Sequence, residues 1–334
     1  MKLSDFNYQL PKELIAQKPV EPRHNSKLMV LNGANVEHTR FFNFADYLRE
    51  GDVLVLNDSR VIPARLRGTK ETGGKVEALL MKKVEANKWW CLARGKNLSI
   101  GSTITFQDSL SGRIEERRDG KYLIDFNYDG NLEDILEEVG EMPTPPYIRR
   151  KLNSKDEYQT VYAKHDGSIA APTAGLHFTE ELLKEIEDKG VDIAYLTLHV
   201  GLGTFKPVEV EDIEMHRMEA EYFRIDEENA EIIDERRGRL IVVGTTTVRA
   251  LESASGKTGR IVPKEGWTDL FIYPGYRFKT DIGGLLTNFH LPKSTLLMLV
   301  SSFASRERIL DAYGEAISHS YRFYSFGDAM LILK

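Results

Sequence analysis

Two short stretches near the N-terminus, KLMVLN and DVLVLN, are almost continuously apolar, the pattern of strands covered on both faces; the second runs into Asp58-Ser59-Arg60. The texture then changes. Between about Ala64 and Tyr128 six short strand-like runs follow one another, ARLRGT, KVEALLMKK, KWWCLAR, STITFQ, SGRIEERR and KYLIDFNY, separated by turns carrying Gly, Asn or Asp. Successive short strands with no helix between them predict a small closed barrel or sandwich. NLEDILEEVG reads as a short helix, and EMPTPPYIRR as a linker back to the first domain. Beyond it the pattern alternates. TEELLKEIEDKG is a helix with Thr179 as N-cap and Gly190 as its stop, and VDIAYLTLHV is a strand. RLIVVG is a strand that turns through Thr245-Thr246-Thr247 into the helix VRALESAS; residues 294–319 are helical behind Pro292 and N-cap Ser294, and AMLIL is a last strand. The expected fold is an α/β main domain, residues 1–62 plus 147–334, interrupted by a small antiparallel β-barrel-like domain of about six strands over residues 63–146.

With 334 residues and 41% hydrophobic content the chain can bury a sizeable core. A single cysteine, Cys91 in KWWCLAR, excludes an intramolecular disulfide framework, and MKLSDFNYQLPKEL has no apolar signal core, so a cytoplasmic location is expected. The longest apolar stretch, LLMLV at 296–300, is too short to span a bilayer. A net charge of -6 argues against a general nucleic-acid coater but leaves room for a local basic face. The basic groups concentrate around the six-strand region, including Arg60, Arg117-Arg118 and Arg149-Arg150; such residues usually solubilise strand edges, and near both domain junctions they are also candidates for RNA backbone contact.

Three of the eight histidines sit in small, Gly/Thr/Pro-rich segments: His177 in AAPTAGLHFT, His199 in LTLHVGLGTFKPV and His290 in LLTNFHLPKSTLL. Each segment reads as a strand exit or helix entry, where ligands bind in open α/β sheets. Taken singly, a histidine beside apolar neighbours is more often structural than catalytic; three in like settings point to one shared cleft. His24, His38, His165 and His319 lack such flanks. The helix N-terminus at GTTT offers unpaired amides to a carboxylate or phosphate, although a well-capped helix explains the segment equally. SGKTG fails as a phosphate-binding loop because Leu251 stands where glycine is required, and the chain has no HExxH or CxxC. A three-histidine metal site is a minority reading and a non-catalytic RNA-binding module another.

Together these segments resemble the S-adenosylmethionine:tRNA ribosyltransferase-isomerase family of queuosine biosynthesis, nearly end to end. The resemblance rests on FNYQLPKELIAQKPVEPR, VLNDSRVIPARLRGTKETGG, APTAGLHFT, LTLHVGLGTFKPV, VVGTTTVRALES, LFIYPGYRF and LLTNFHLPKSTLLMLVSSFAS. One departure is visible: the family commonly reads H-x-M-H-x-E where this chain has Glu219 in place of the second histidine. The resemblance implies transfer and isomerisation of the ribosyl part of S-adenosylmethionine onto 7-aminomethyl-7-deazaguanine at the wobble position of tRNAs with GUN anticodons. Adenine and methionine leave, epoxyqueuosine is formed, and S-adenosylmethionine is consumed as a substrate with no further cofactor and no metal. A base must then take a proton from ribose C5′ and an acid assist adenine. Expected in these roles are His177, His199 and His290, with Asp58 or Glu252 orienting one of them. Around them Ser59, Arg60, Thr173, Gly175, Gly201, Gly203, Thr204, Thr245, Thr246 and Asn288 are expected to line the substrate site. Arg249 would assist the methionine carboxylate, Phe178 and Phe205 would stack a base, and Arg117, Arg118, Arg149 and Arg150 would meet tRNA.

Overall fold

In the computed structural model, residues 1–107, 109–201, 203, 208–256 and 258–334 are described. The chain begins with strands β1 (Lys27–Asn32), β2 (Asn35–Arg40), β3 (Val53–Asn57) and the short β4 (Ser59–Val61). The next six are β5 (Arg65–Lys70), β6 (Lys75–Lys83), β7 (Lys88–Gly95), β8 (Thr103–Gln107), β9 (Leu110–Arg118) and β10 (Lys121–Tyr128), followed by helix α1 (Leu132–Val139). Then come β11 (His165–Ser168), α2 (Glu180–Asp188), β12 (Asp192–Leu198), β13 (Glu221–Ile225), α3 (Glu227–Asp234), β14 (Leu240–Val243) and α4 (Thr245–Ala254). The chain ends with β15 (Lys264–Thr268), β16 (Gly284–Asn288), α5 (Thr295–Ala304), α6 (Arg306–Ser318) and β17 (Ala329–Leu333).

A nine-stranded mixed sheet, ordered β15-β13-β12-β3-β14-β16-β17-β1-β2, is the frame. Its centre, β12-β3-β14-β16, is parallel, and every residue of β3, β14, β16 and β17 is buried. That follows from their mostly apolar sequences, which leave no face for water; the polar ends Asn57, Thr287 and Asn288 are buried too. Alternate side chains feed two cores: Val53 and Val55 point to one, Leu54 and Leu56 to the other. The edge strand β2, with the sequence NVEHTR, is polar and largely exposed.

Strands β5 to β10 close into a barrel in the order β10-β7-β6-β5-β8-β9, filled by its own core of Leu66, Ala78, Leu80, Cys91, Ile104, Ile114, Ile124 and Phe126. Closure demands small residues where strands crowd: a Cβ at Gly112 would stand 2.7 Å from Ile124. Helix α1, capped by Asn131, covers the barrel with Leu132, Ile135 and Leu136. The entering and leaving chains pair side by side, the Glu141 amide donating to the Arg65 carbonyl at 2.8 Å and the Arg65 amide to the Glu141 carbonyl at 3.1 Å.

The fold expected from sequence is present, with one revision at the C-terminal helix. Residues 294–319 form two helices, because Ser305 at φ 84° ends α5 and caps α6 by accepting from the Arg308 amide. No helix among the described residues is long and apolar enough to cross a membrane.

Candidate functional site

A cleft of about 1020 Å³ lies where the barrel and α1 face one end of the sheet. The barrel side brings Lys82, Lys83, Trp89, Trp90, Arg118 and Lys121; the sheet side brings Arg60, Gly167, His199, Gly201, Glu219, Glu221 and Trp267. All three tryptophans of the chain are in this wall. Trp267 keeps 57% of its surface exposed, Lys82 Nζ sits 4.7 Å above its ring, and Tyr222 meets it edge-on at 5.9 Å. Exposed aromatic faces flanked by ammonium groups are what a stacked base on an anionic backbone requires. Two contacts bridge the cleft from barrel to sheet, Lys82 over Trp267 and Lys121 to Glu219 at 3.7 Å.

His199, just past β12, is the imidazole of this cleft. Its Nδ1 is 2.8 Å from Ser59 Oγ, and its ring lies parallel to Tyr222 at 5.6 Å. Gly167 packs against the ring, where a Cβ would stand 2.7 Å from Nε2; at φ +142° the position also favours glycine. Burial lowers the His199 pKa to about 4, with the His165 ring adding to the effect, so the imidazole is neutral at physiological pH. Asn57 sets this geometry. Its Oδ1 accepts from the Ser59 and Leu198 amides at 3.1 and 2.9 Å, and its Nδ2 donates to the Leu198 carbonyl, pinning the ends of β3 and β12 together.

The Glu221 carboxylate accepts from the Gly201 amide at 2.8 Å on one oxygen and from the Arg249 guanidinium on the other, both side chains being almost fully buried. Arg249 also donates to the Leu270 and Thr268 carbonyls. It therefore shapes the cleft from behind Glu221 instead of meeting a substrate carboxylate.

The Asp58 carboxylate is directed to other groups than the three selected histidines: it accepts from Thr197 Oγ1 at 2.7 Å and faces His165 Nε2 at 3.5 Å. Burial pushes its carboxyl above the ordinary carboxylate range, while Thr197 and His165 pull it back. His165, set aside in the sequence for its polar flanks, thus enters the site because β11 pairs in parallel with β4, register His165 to Ser59.

Among the described residues the expected single cleft divides in two. His290 lines a second cavity of about 280 Å³ with Thr173, Asn288 and Tyr324, its Nε2 2.7 Å from Thr287 Oγ1. His177 lines neither: Nδ1 meets Ser26 Oγ at 2.8 Å, Nε2 accepts from Asn288 Nδ2 at 3.2 Å, and the ring stacks on Phe41. Burial holds both imidazoles down to a pKa of about 3. The Thr173 hydroxyl donates to Asn288 Oδ1, so Asn288 joins the second cavity to His177. Gly201 lines the first cavity and Val208 the second. Thr204 and Phe205 lie outside the described residues.

Other expected site residues take different places. Phe178 is fully buried, edge-on to Phe41 and Phe44, and lines neither cavity. Glu252 orients no histidine; it accepts from Tyr276 Oη and the Lys279 and Thr280 amides, tying that loop to α4. Gly175 is required because a Cβ there would stand 2.0 Å from Tyr162 Oη. Thr245 and Thr246 are buried at the start of α4 and line neither cavity, while Gly203 packs on Glu219. Arg60 lines the cleft through ion pairs to Asp166 and Glu137 at 3.2 and 3.5 Å. Arg118 reaches the cleft and Arg117 lies over Tyr122. Arg149 is exposed, but Arg150 is held by the Gln17 carbonyl and Glu157. The tryptophans, Asn57, His165 and Glu221 were missed, each being unremarkable among its sequence neighbours.

Residues 3–332 match the family of queuosine biosynthesis proteins. The S-adenosylmethionine:tRNA ribosyltransferase-isomerase of Caldanaerobacter subterraneus subsp. tengcongensis is 53% identical over 342 residues, spanning 100% of both chains. That of Desulfitobacterium hafniense is 54% identical over the same span. The crystal structure of S-adenosylmethionine tRNA ribosyltransferase from Thermotoga maritima is similar at 38% identity, covering 98% of this chain and 100% of that one, with a TM-score of 0.56.

Proposed function

Because the chain belongs to the queuosine biosynthesis protein family, we infer that the cleft between barrel and sheet is the seat of its S-adenosylmethionine:tRNA ribosyltransferase-isomerase activity. The enzyme transfers and isomerises the ribosyl moiety of S-adenosylmethionine onto 7-aminomethyl-7-deazaguanine at the tRNA wobble position, leaving epoxyqueuosine and releasing adenine and methionine. The observation that carries the assignment of the cleft is a neutral imidazole, His199, fixed by Ser59 and Gly167 in the same cavity as the chain's three tryptophans.

The sulfonium of S-adenosylmethionine acidifies the adjacent ribose C5′, and a neutral imidazole can accept that proton. His199 is suited to this when Nδ1–H donates to Ser59 Oγ, which leaves the lone pair on Nε2. His165, exposed, backed by Asp58 and close enough to His199 to act on its charge, is the candidate to return a proton as adenine leaves. The tryptophans and the lysines beside them hold the bases and the anticodon backbone of a GUN anticodon. The sulfonium itself supplies the activation, so no metal and no cofactor beyond the consumed substrate are called for. His177 and His290 support the site: both ring nitrogens of His177 are bonded within the fold, as is Nε2 of His290.

Incubation with S-adenosylmethionine and tRNA carrying the aminomethyl-deazaguanine should release adenine and methionine in equal amounts, undiminished by chelators. Methyl transfer to RNA with S-adenosylhomocysteine as product would overturn the reading. Loss of activity on chelation, restored by a metal, would overturn the metal-free part of it.

A further inference from the structure

At the opposite edge of the nine-stranded sheet from Trp267, β2 meets the C-terminal end of α6. There His38, Glu315 and His319 bring one potential ligand atom each to within 4.8 Å of one another. The two imidazoles stack 4.2 Å apart at 19°, and His38 Nε2 stands 2.9 Å from Glu315 Oε1.

His319 Nδ1 is 3.0 Å from the backbone carbonyl of Glu315, which only accepts, and 3.1 Å from Ser318 Oγ; with the hydrogen on Nδ1, Nε2 keeps its lone pair. His38 Nδ1 is 2.9 Å from Tyr321 Oη, which donates to it in one tautomer and, with its own hydrogen turned to the Leu28 carbonyl at 3.3 Å, accepts from it in the other. In the first, Nε2–H donates to Glu315; in the second, the Nε2 lone pair is open to a cation held by the Glu315 carboxylate and the second imidazole together.

We propose that His38, Glu315 and His319 form a zinc site that ties the edge strand β2 to the end of α6. Two imidazoles and one carboxylate suit Zn²⁺, and bond lengths of about 2.0–2.1 Å put tetrahedral ligand atoms ~3.3 Å apart; the two stacked rings must turn about their side-chain torsions to aim both lone pairs at one ion. In the metal-binding tautomer each imidazole has a partner for its other N–H, Tyr321 Oη for His38 and the Glu315 carbonyl for His319, the support that metal-bound histidines ordinarily have. The fourth position opens to solvent, since His38 and His319 are both exposed. Fastening β2 in this way also braces an unpaired sheet edge. The site is independent of the reaction assigned to the cleft.

The test is a calorimetric titration of the untagged, chelator-stripped protein with Zn²⁺, with Co²⁺ as a spectroscopic reporter of coordination. One equivalent should bind, raise the melting temperature and give the visible absorption of four-coordinate cobalt. His38→Ala and His319→Ala should each weaken binding about a hundredfold or more and abolish the thermal shift, while His24→Ala, whose ring bonds to Thr179, should leave both intact. No saturable binding, or binding unchanged in both ligand variants, would overturn the site and leave an ordinary hydrogen bond between His38 and Glu315.

Discussion

A buried imidazole is put to work by the neighbours that choose its protonation, and the three selected histidines differ in this respect. His199 has one ring nitrogen on Ser59 and the other against a glycine at the cleft wall, whereas His177 has a bond to each nitrogen and lines neither of the two cavities. His199→Ala should lower kcat about a hundredfold or more with tRNA binding retained, and Ser59→Ala should lower it less; a near-normal rate in His199→Ala would place proton transfer elsewhere. His177 and His290 should show in stability instead. Burial depresses both pKa values to about 3 from the ordinary 6.5, so between those values the unfolded chain binds more protons than the folded one. Their contribution is therefore complete above pH 6.5 and is lost as the pH falls towards 3, at about 1.4 kcal/mol per pH unit for each. Denaturant titrations at pH 7, 6 and 5 should show this slope, flattened in His177→Gln; an identical slope in the variant would contradict it. The sequence could single out His199 and Ser59 from their own flanks, but not the Asp58–His165 pairing, which depends on two strands meeting across 106 positions of chain.

Unbroken apolar runs made β1, β3, β14 and β17 legible, and the six barrel strands declared themselves by their turns. Edge elements were harder to read. In the edge strands β2 and β15 the sequences NVEHTR and KEGWT carry charges because water or the cleft lies against them, and next to β15 the strand β13, EYFRI, buries only one face in the core. The same reason hid the site's aromatics: Trp89 and Trp90 come from β7 and Trp267 from β15, and only closure of the barrel beside the sheet assembles them. The junction of α1 with the barrel entry offers a sharp test. A Cβ at Gly140 would stand 2.0 Å from the Pro63 carbonyl oxygen, a backbone atom that cannot rotate away. Gly140→Ala should cost about 1–3 kcal/mol in a denaturant titration, and a variant as stable as the parent would show that the two segments part easily.

Across the whole molecule, a chain of net charge -6 must hold an anionic RNA by a local field, and the cleft supplies one through Lys82, Lys83, Arg118 and Lys121. Each phosphate neutralised steepens the fall of affinity with salt. Lys82→Ala with Lys83→Ala should flatten the salt dependence of tRNA affinity by about one to two ions, more than Arg149→Ala with Arg150→Ala, since Arg150 is already paired with Glu157. The reverse ranking would move the RNA to the linker face. The paired chains at Arg65 and Glu141 carry a different consequence. To the sheet, everything between them has the footprint of a hairpin turn, so the barrel is a cassette: its presence asks nothing of the order in which the nine strands are threaded. Joining Ile62 to Met142 through a short turn should leave a sheet that still unfolds cooperatively, and any small domain whose ends emerge as neighbours could be seated there. Lineages could then have gained, lost or exchanged this half of the cleft in one genetic step, with His199 staying in place just beyond β12.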